Sequence, residues 1–170
     1  MTINNDPHPP FCRKESIAHM KGKVRIAQVV DKYYSTRYEE VSTVYEHPLP
    51  YVWIDQVNAW VQFWADVCVI IFYDFVDAQG KQERVYTKLI FECDDPSHGT
   101  KRKLSRDQAR DEAYMKLNIP TSRFKMAWLN GRKKSIHRPA LAPLTEQEII
   151  DASPQEEEIN IGRYRICQSA

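Results

Sequence analysis

The stretch WADVCVIIFYDFVDAQGKQERVYTKLIFECDDPSH, which spans Trp64–His98, decides the fold of this chain. Its first part, up to Val76, consists almost wholly of β-branched, aliphatic and aromatic residues, and a second run of this kind extends from Arg84 to Cys93. Residues 78–81 (AQGK) lie between the two runs and have the composition of a turn. Two β-prone runs joined by a short turn predict one long antiparallel hairpin.

The predicted hairpin brings carboxylates from two strands together at one end. If the turn centres on Gln79 and Gly80, residues whose numbers sum to about 158–160 lie opposite each other, so that Asp66 faces Glu92. Because side chains alternate along a strand, Asp94 shares a face with Glu92. Like charges placed opposite each other are destabilising, and a divalent cation between them would remove that cost. The sequence therefore predicts that Asp66, Glu92 and Asp94 bind Mg²⁺ or Mn²⁺ through their oxygen atoms.

The residues after the hairpin add a titratable group and a strongly basic segment. His98 follows the last acid, and its unperturbed pKa near neutrality suits a general base or a leaving-group acid. Residues 101–138 contain twelve Lys or Arg and three acids, whereas residues 139–170 contain six acids and two Arg. A basic segment beside an acidic hairpin predicts a polyanionic partner, DNA in the first place. The residues predicted to contact nucleic acid are Lys101, Arg102, Lys103, Arg106, Arg110, Arg132, Lys133 and Lys134.

Composition bounds the class of protein. A chain of 170 residues with 42% hydrophobic residues is sufficient for one packed core. It contains no apolar run of transmembrane length, and its N-terminus lacks the apolar segment of a signal peptide. Its four cysteines show no C-x-x-C spacing, so we expect a reduced, cytoplasmic protein without disulfides. With five glycines and no Gly-rich motif, a phosphate-binding loop is excluded.

The order of predicted elements indicates a mixed α/β (α+β) sandwich, in which helices flank a central mixed β-sheet. Ser105 is the predicted N-cap of the helix that follows the hairpin. Residues 51–64 fit either a strand and loop or a short helix. We assign the four tryptophans to the core. The division expected is a flexible arm at residues 1–13, a core domain at 14–138 and an acidic extension at 139–170. The predicted helices are Glu15–Tyr34, Ser105–Leu117 and Leu144–Ala152, and the strands outside the hairpin are Glu39–Glu46, Ser122–Leu129 and Ile159–Cys167.

The sequence from residue 40 to residue 128 resembles the PD-(D/E)xK nuclease superfamily. The likeness is to the branch with the very-short-patch-repair endonucleases and their small relatives of unknown function. Members of this branch share a series of motifs in a fixed order. The series begins with a strand-borne Asp and an apolar strand ending in an E-x-D-D element with a nearby His. A helix with an R-D pair and a turn into a strand follow. In this chain these are Asp66, Glu92-Cys93-Asp94-Asp95, His98, Arg110-Asp111 and Asn118-Ile119-Pro120, which leads to Phe124.

The resemblance implies a restriction-endonuclease-like fold and a metal-dependent DNA endonuclease that hydrolyses phosphodiester bonds. In that reading Asp66, Glu92 and Asp94 hold Mg²⁺, His98 assists proton transfer and Arg110 contacts a phosphate. The lysine that the superfamily usually carries two residues after the Glu is Asp94 here, and Lys88 on the same strand face is a candidate replacement. A helix-borne acid often completes such sites, and either Glu15 or Asp31 could supply it.

Other interpretations remain open at this point. The three acids would also occur as solvated residues at strand ends, and a basic segment is often only a solvated face. A second functional hypothesis is a catalytically inactive nuclease-fold module that binds nucleic acid, or that inhibits or recruits a nucleic-acid-processing protein. A third is a protein-interaction module that docks a partner through the segment from Pro139 onward.

Overall fold

The computed structural model of the protein describes residues 17–94, 101–125 and 144–166. Its elements in chain order are α1 (Ile17–Ser35), β1 (Glu40–Pro48), β2 (Val52–Ile54), β3 (Ala59–Val61), β4 (Trp64–Val76), β5 (Gln82–Asp94), α2 (Lys101–Lys116), β6 (Thr121–Lys125), α3 (Glu146–Asp151), α4 (Glu156–Ile161) and β7 (Arg163–Arg165). None of the helices in these ranges is long and apolar enough to span a membrane.

The long hairpin predicted from the sequence is confirmed. Strands β4 and β5 pair antiparallel from Val76 opposite Gln82 to Val67 opposite Phe91, which is the register expected for a turn at residues 78–81. Gly80 has φ +78°, a left-handed conformation that glycine adopts without steric cost. The Asp77 carboxylate accepts hydrogen bonds from two backbone N–H groups of this turn, which fixes its geometry.

The central sheet has the strand order β1-β4-β5-β6 and is mostly antiparallel. Helix α2 connects β5 to β6, which runs parallel to it along Ile90–Asp94, while β7 pairs antiparallel with the earlier part of β5 at Val85–Thr87. Strands β2 and β3, which lie between β1 and β4 along the chain, form a separate two-stranded sheet. The mixed α+β class, with helices flanking a central sheet, is therefore confirmed.

The two faces of the sheet are covered by different helices. Odd-numbered residues of β4 and β5, such as Val69 and Phe91, pack with Ile26 and Val30 of α1. On the other face, Cys68 and Ile90 pack with Tyr114 of α2. This division follows from the alternation of side chains along a strand. Cys68 and Cys93 are both buried in the sheet.

Residues 144–166 pack onto the same core. Ile149 of α3 and Ile159 of α4 are buried in the cluster that α1 forms with the sheet. The hydroxyl of Tyr34 donates to the carbonyl of Pro154 at 3.3 Å, and that of Ser122 donates to the carbonyl of Ala152 at 2.5 Å. This packing bears on the hypothesis that the segment from Pro139 onward docks a partner. Deleting residues 139–170 would remove part of the core, so the loss of a partner after such a deletion would not by itself show that the segment binds it.

Several local predictions are wrong. Helix α2 begins at Lys101, so Ser105 lies inside it and is not its N-cap. The predicted strand at Ile159–Cys167 is a short helix followed by β7, because the acidic run before Ile159 forms the first turn of α4. Trp53 and Trp60 are exposed, since they point outward from the β2–β3 hairpin that residues 51–64 form.

Candidate functional site

The site begins where the β4–β5 ladder ends. The last backbone pair is Val67 with Phe91, one residue short of Asp66 and Glu92. In place of the next ladder contact, the Cys93 N–H donates to Oδ2 of Asp66 at 2.8 Å. The Asp66 carboxylate thus lies beside the peptide that follows Glu92, and its side chain is mostly buried, with 14% exposed.

Helix α1 places two cationic groups against Asp66. Nζ of Lys23 lies 3.3 Å from Oδ1 of Asp66 and also contacts Oε1 of Glu46. Nε2 of His19 lies 3.5 Å from Oδ2 of Asp66 and 2.7 Å from the carbonyl oxygen of Cys93. His19 and Lys23 are four residues apart, so they project from the same face of the helix.

The backbone of β1 is strained beside this site. Glu46 has φ +49°, a left-handed conformation that side-chain-bearing residues adopt at a cost. It interrupts the pairing of β1 with β4 between the pairs that Tyr45 and His47 make. Strain of this kind concentrates at functional sites, because neighbouring structure has to hold it in place. Here the contact of Glu46 with Lys23 ties the distorted strand to α1.

Helix α2 supplies the partners of Glu92 on the opposite face of the sheet. Glu92 is essentially buried, at 1% exposure. Nη1 of Arg110 donates to its Oε2 at 2.7 Å, and the hydroxyl of Tyr114 donates to its Oε1 at 2.6 Å. Asp107 accepts from the other terminal nitrogen of Arg110 at 2.8 Å, which orients the guanidinium. Arg110 and Tyr114 are one helical turn apart and reach the same carboxylate for that reason.

The two carboxylates differ in their protonation. Burial, together with the charge of Asp66, raises the pKa of Glu92 to about 7, although Arg110 and Tyr114 oppose the shift. Burial also acts to raise the pKa of Asp66, but the hydrogen bond from His19 and the charge of Lys23 outweigh it and hold this pKa below its usual value. At neutral pH, Asp66 is ionised and Glu92 titrates. A pair of this kind can take up and release a proton, or bind a cation that displaces one.

His19 is a cation in this environment. Burial lowers its pKa, but the hydrogen bond and charge of Asp66, together with the Cys93 carbonyl, raise the pKa to about 9. A positively charged imidazole therefore lies between two oxygen atoms of the site at neutral pH. Its side chain is 18% exposed, so solvent screens this charge only in part.

Asp94 forms an ion pair with a guanidinium of β6. Nη1 of Arg123, on β6, donates to its Oδ1 at 2.7 Å, and Nε of the same guanidinium donates to Asp111 at 3.1 Å. Among residues 17–94, 101–125 and 144–166, no group of three His, Cys, Asp or Glu side chains is placed to hold a metal ion. The structure thus places Asp66 and Glu92 on neighbouring strands, near enough for the charge of Asp66 to raise the pKa of Glu92, and pairs Asp94 with Arg123.

The remaining predicted residues have varied positions. His98, Arg132, Lys133 and Lys134, and the alternative acid Glu15, lie outside the described residues. Lys101, Arg102, Lys103 and Arg106 belong to α2, and their side chains are not among those that the structure describes. Lys88 has its Nζ 3.0 Å from Nε2 of His47, and Asp31 accepts a hydrogen bond from Thr43. Arg110, predicted to contact phosphate, binds Glu92 and Asp107.

Four residues of the site were not found from the sequence: His19, Lys23, Glu46 and Tyr114. Tyr114 carried a signal, because it follows Arg110 by one helical turn. His19 and Lys23 have the same spacing, but nothing in the sequence indicates that α1 crosses the sheet at Asp66.

Comparisons with models of protein families, with curated proteins and with solved structures found no match to this chain.

Proposed function

We propose that this protein is a metal-dependent, nuclease-like domain that hydrolyses phosphodiester bonds in DNA. One observation carries the proposal: Asp66 and Glu92 lie on neighbouring strands where the ladder between them ends, and burial together with the charge of Asp66 raises the pKa of Glu92. Buried charged groups do not in general add stability. Carboxylates with perturbed pKa values, grouped where pairing stops, are typical of catalytic sites.

The topology is compatible with the restriction-endonuclease-like fold that the resemblance implies. Helix α1 and the antiparallel strands β1, β4 and β5 are followed by α2 and the parallel strand β6. Both candidate acids occur on the central hairpin of this arrangement. The β2–β3 hairpin is then an insertion between two neighbouring strands of the sheet.

In this proposal Asp66 and Glu92 would bind Mg²⁺ or Mn²⁺ as two carboxylate ligands. Mg²⁺ in proteins is usually held by one or two carboxylates, with water and substrate phosphate completing its octahedron. We assign Asp66 and Glu92 as these ligands, because each Glu92 oxygen keeps a second lone pair beside the one that accepts from Arg110 or Tyr114. The ion would polarise the phosphate and lower the pKa of a bound water. Asp94, which binds Arg123, is not in this set.

Lys23 takes the place of the missing motif lysine in this proposal. The residue two positions after Glu92 is an acid, whereas the ammonium of Lys23 lies 3.3 Å from Asp66 and is supplied by α1. It would balance negative charge when a phosphate approaches the two carboxylates. His98 remains the proposed group for proton transfer. The basic start of α2, with Lys101, Arg102, Lys103 and Arg106, remains the proposed contact with the DNA backbone.

The test combines metal binding with cleavage. We would titrate Mn²⁺ into the wild type, Asp66→Asn and Glu92→Gln by calorimetry, and incubate each with supercoiled plasmid and Mg²⁺. Asp74→Asn, an exposed acid at the other end of the same hairpin, is the matched control. We expect both site variants to lose metal binding and cleavage while the control keeps them. Cleavage by both site variants at the rate of the wild type would refute the assignment.

A second candidate is a nuclease-fold module that binds DNA without cutting it. One observation favours this candidate. Arg110 and Tyr114 each donate a hydrogen bond to one oxygen of Glu92, so the buried carboxylate has hydrogen-bond partners without a metal ion. In that case Asp66→Asn should leave DNA binding unchanged, whereas charge reversal at Lys101 and Lys103 should abolish it. Binding should also weaken steeply with salt, because phosphate contacts release counterions.

A further inference from the structure

The β2–β3 hairpin presents an aromatic outer face. Its inward side chains, Val52 and Ile54, are buried against Ala109 and Ala113 of α2. Its outward side chains are largely in solvent, and the exposed fraction of Trp60 reaches 64%. The other exposed apolar residues of this face are Tyr51 (56%), Trp53 (37%) and Val57 (54%). A hairpin that is apolar on both sides, with only one side covered, implies a partner for the other.

The aromatic pair on this face is held in place. Trp53 and Trp60 are directly opposite in the β2–β3 ladder, and their rings lie 5.9 Å apart at 71°, an edge-to-face contact. The indole N–H of Trp53 donates to Asp55 at 3.0 Å, and Nζ of Lys116 donates to the carbonyl of Trp53 at 2.9 Å. Two large rings fixed in this way form a preorganised stacking surface, which loses little side-chain entropy when a ligand binds.

The acid of this hairpin shares its cation with a second acid, because Nζ of Lys116 also lies 2.7 Å from Oε1 of Glu112. Asp55 is the acid between the two tryptophans in the chain, and its carboxylate lies 3.0 Å from Nζ of Lys116. Lys116 and Trp53 hold the pKa of Asp55 below its usual value, so it remains the anionic half of an ion pair. The other residues of the hairpin turn, Gln56 and Asn58, are neutral and polar. One ammonium thus serves two carboxylates here, so stacking on the rings, and not charge, would have to hold a ligand at this face.

The hairpin that carries the aromatic face is connected to elements of the proposed site. Strand β3 ends at Val61, and β4, which carries Asp66, begins at Trp64. The carbonyl of Phe63 and the side chain of Gln62 both bond to Leu49, which ties the base of the hairpin to the end of β1. The hairpin also rests on α2, the helix that supplies the partners of Glu92. The hairpin is therefore joined by chain to the strand that carries Asp66 and by packing to the helix that contacts Glu92.

We infer that the Trp53–Trp60 face stacks on unpaired bases, and that the preferred substrate of the protein contains single-stranded nucleic acid next to the phosphate that is cut. The inference rests on the proposed function. Four exposed side chains present about 450 Å² if a fully exposed aromatic offers about 250 Å², well below the ~800 Å² per partner of a stable protein interface. Bases offer flat faces of matching size and stack on aromatic side chains without sequence preference.

The test measures binding of a fluorescein-labelled oligothymidylate of about twelve nucleotides by anisotropy in EDTA. The proteins are the wild type, Trp60→Ala, Trp53→Phe and Val76→Ala, and the last is an exposed apolar control at the opposite end of the β4–β5 hairpin. We expect Trp60→Ala to weaken binding by roughly five- to a hundred-fold, the range of one lost base stack. We expect Val76→Ala to bind as the wild type and Trp53→Phe to retain most of the affinity. Thermal unfolding of each variant verifies the fold.

The outcomes separate this inference from the proposed function. Unchanged binding in Trp60→Ala would overturn the stacking role, and plasmid cleavage that still depends on Asp66 would then leave the nuclease assignment standing. Trp60-dependent binding without cleavage under Mg²⁺ or Mn²⁺ would support the stacking face and overturn the catalytic assignment. Concentration-dependent dimers in the wild type that disappear in Trp60→Ala, without binding of the oligothymidylate, would show that the face joins two copies of the chain and overturn the inference.

Discussion

Replacement of His19 by glutamine tests the electrostatics of the site through the pH dependence of stability. The amide of glutamine can still donate to the Cys93 carbonyl, but it carries no charge beside Asp66. The pKa of His19 rises from 6.5 in the unfolded chain to about 9 in the folded protein. A shift of this size corresponds to about 3 kcal/mol of stability.

The sign of the effect follows from which state holds the proton. Below pH 6.5 His19 is protonated in both the folded and the unfolded chain, and its contribution is fully present. Between pH 6.5 and 9 the folded protein keeps the proton that the unfolded chain loses, so the contribution declines as the pH rises and is gone above 9. The wild type should therefore lose about 3 kcal/mol more than His19→Gln between pH 6.5 and 9.5.

The assay is urea denaturation at several pH values in EDTA, read as the difference in unfolding free energy between variant and wild type. Taking the difference cancels the titration of Glu92, which is common to both proteins. His47→Gln is the control, because burial and the charge of Lys88 lower the pKa of His47, so it is neutral throughout the range above pH 7. A difference between wild type and His19→Gln that stays constant from pH 7 to 9.5 would refute the reasoning.

Three further substitutions test the packing of the site and core by chemical denaturation. Arg110→Met should cost roughly 1–3 kcal/mol because it removes a donor from the buried Glu92 carboxyl, which then takes up a proton at neutral pH, and the double variant with Glu92→Met should recover most of that loss; no recovery would contradict the pairing. Ile159→Ala should cost about 2–5 kcal/mol, since its side chain fills the core beneath α4, and a change near zero would show that this segment does not pack as described. Gly162→Ala should cost about 1–3 kcal/mol, because a Cβ there would lie 2.8 Å from the backbone oxygen of Asn118; an unchanged midpoint would contradict this close approach.

The hairpin and its register could be predicted because two local signals coincide. Alternating burial makes a one-residue slip costly, and the turn at Gly80 fixes which residues face each other. The position of Asp66 next to Glu92 follows from that register alone. The class of fold follows in the same way, from the order of strand-like and helix-like runs.

The rest of the site depends on contacts between distant parts of the chain. Lys23 meets Glu46 and Asp66 because α1 crosses the sheet at that point, and no local pattern specifies where a helix crosses. The left-handed backbone at Glu46 is equally hidden, since this residue type does not favour it. Trp60 looks like a core residue because period-two alternation reveals that a strand has two faces but not which of them is covered.

The β2–β3 hairpin also has a consequence for how proteins of this architecture can diversify. Pro48 at the end of β1 is paired with Trp64 at the start of β4. Residues 49–63 therefore form an insertion whose two ends are held together by the sheet. Each doubling of the length of such a loop costs only about 0.6 kcal/mol in closure entropy. Its length and its outward-facing residues can therefore change while Val52 and Ile54 keep their packing against α2. If the proposed function holds, substrate preference and bond-breaking chemistry would evolve on separate segments of one small chain.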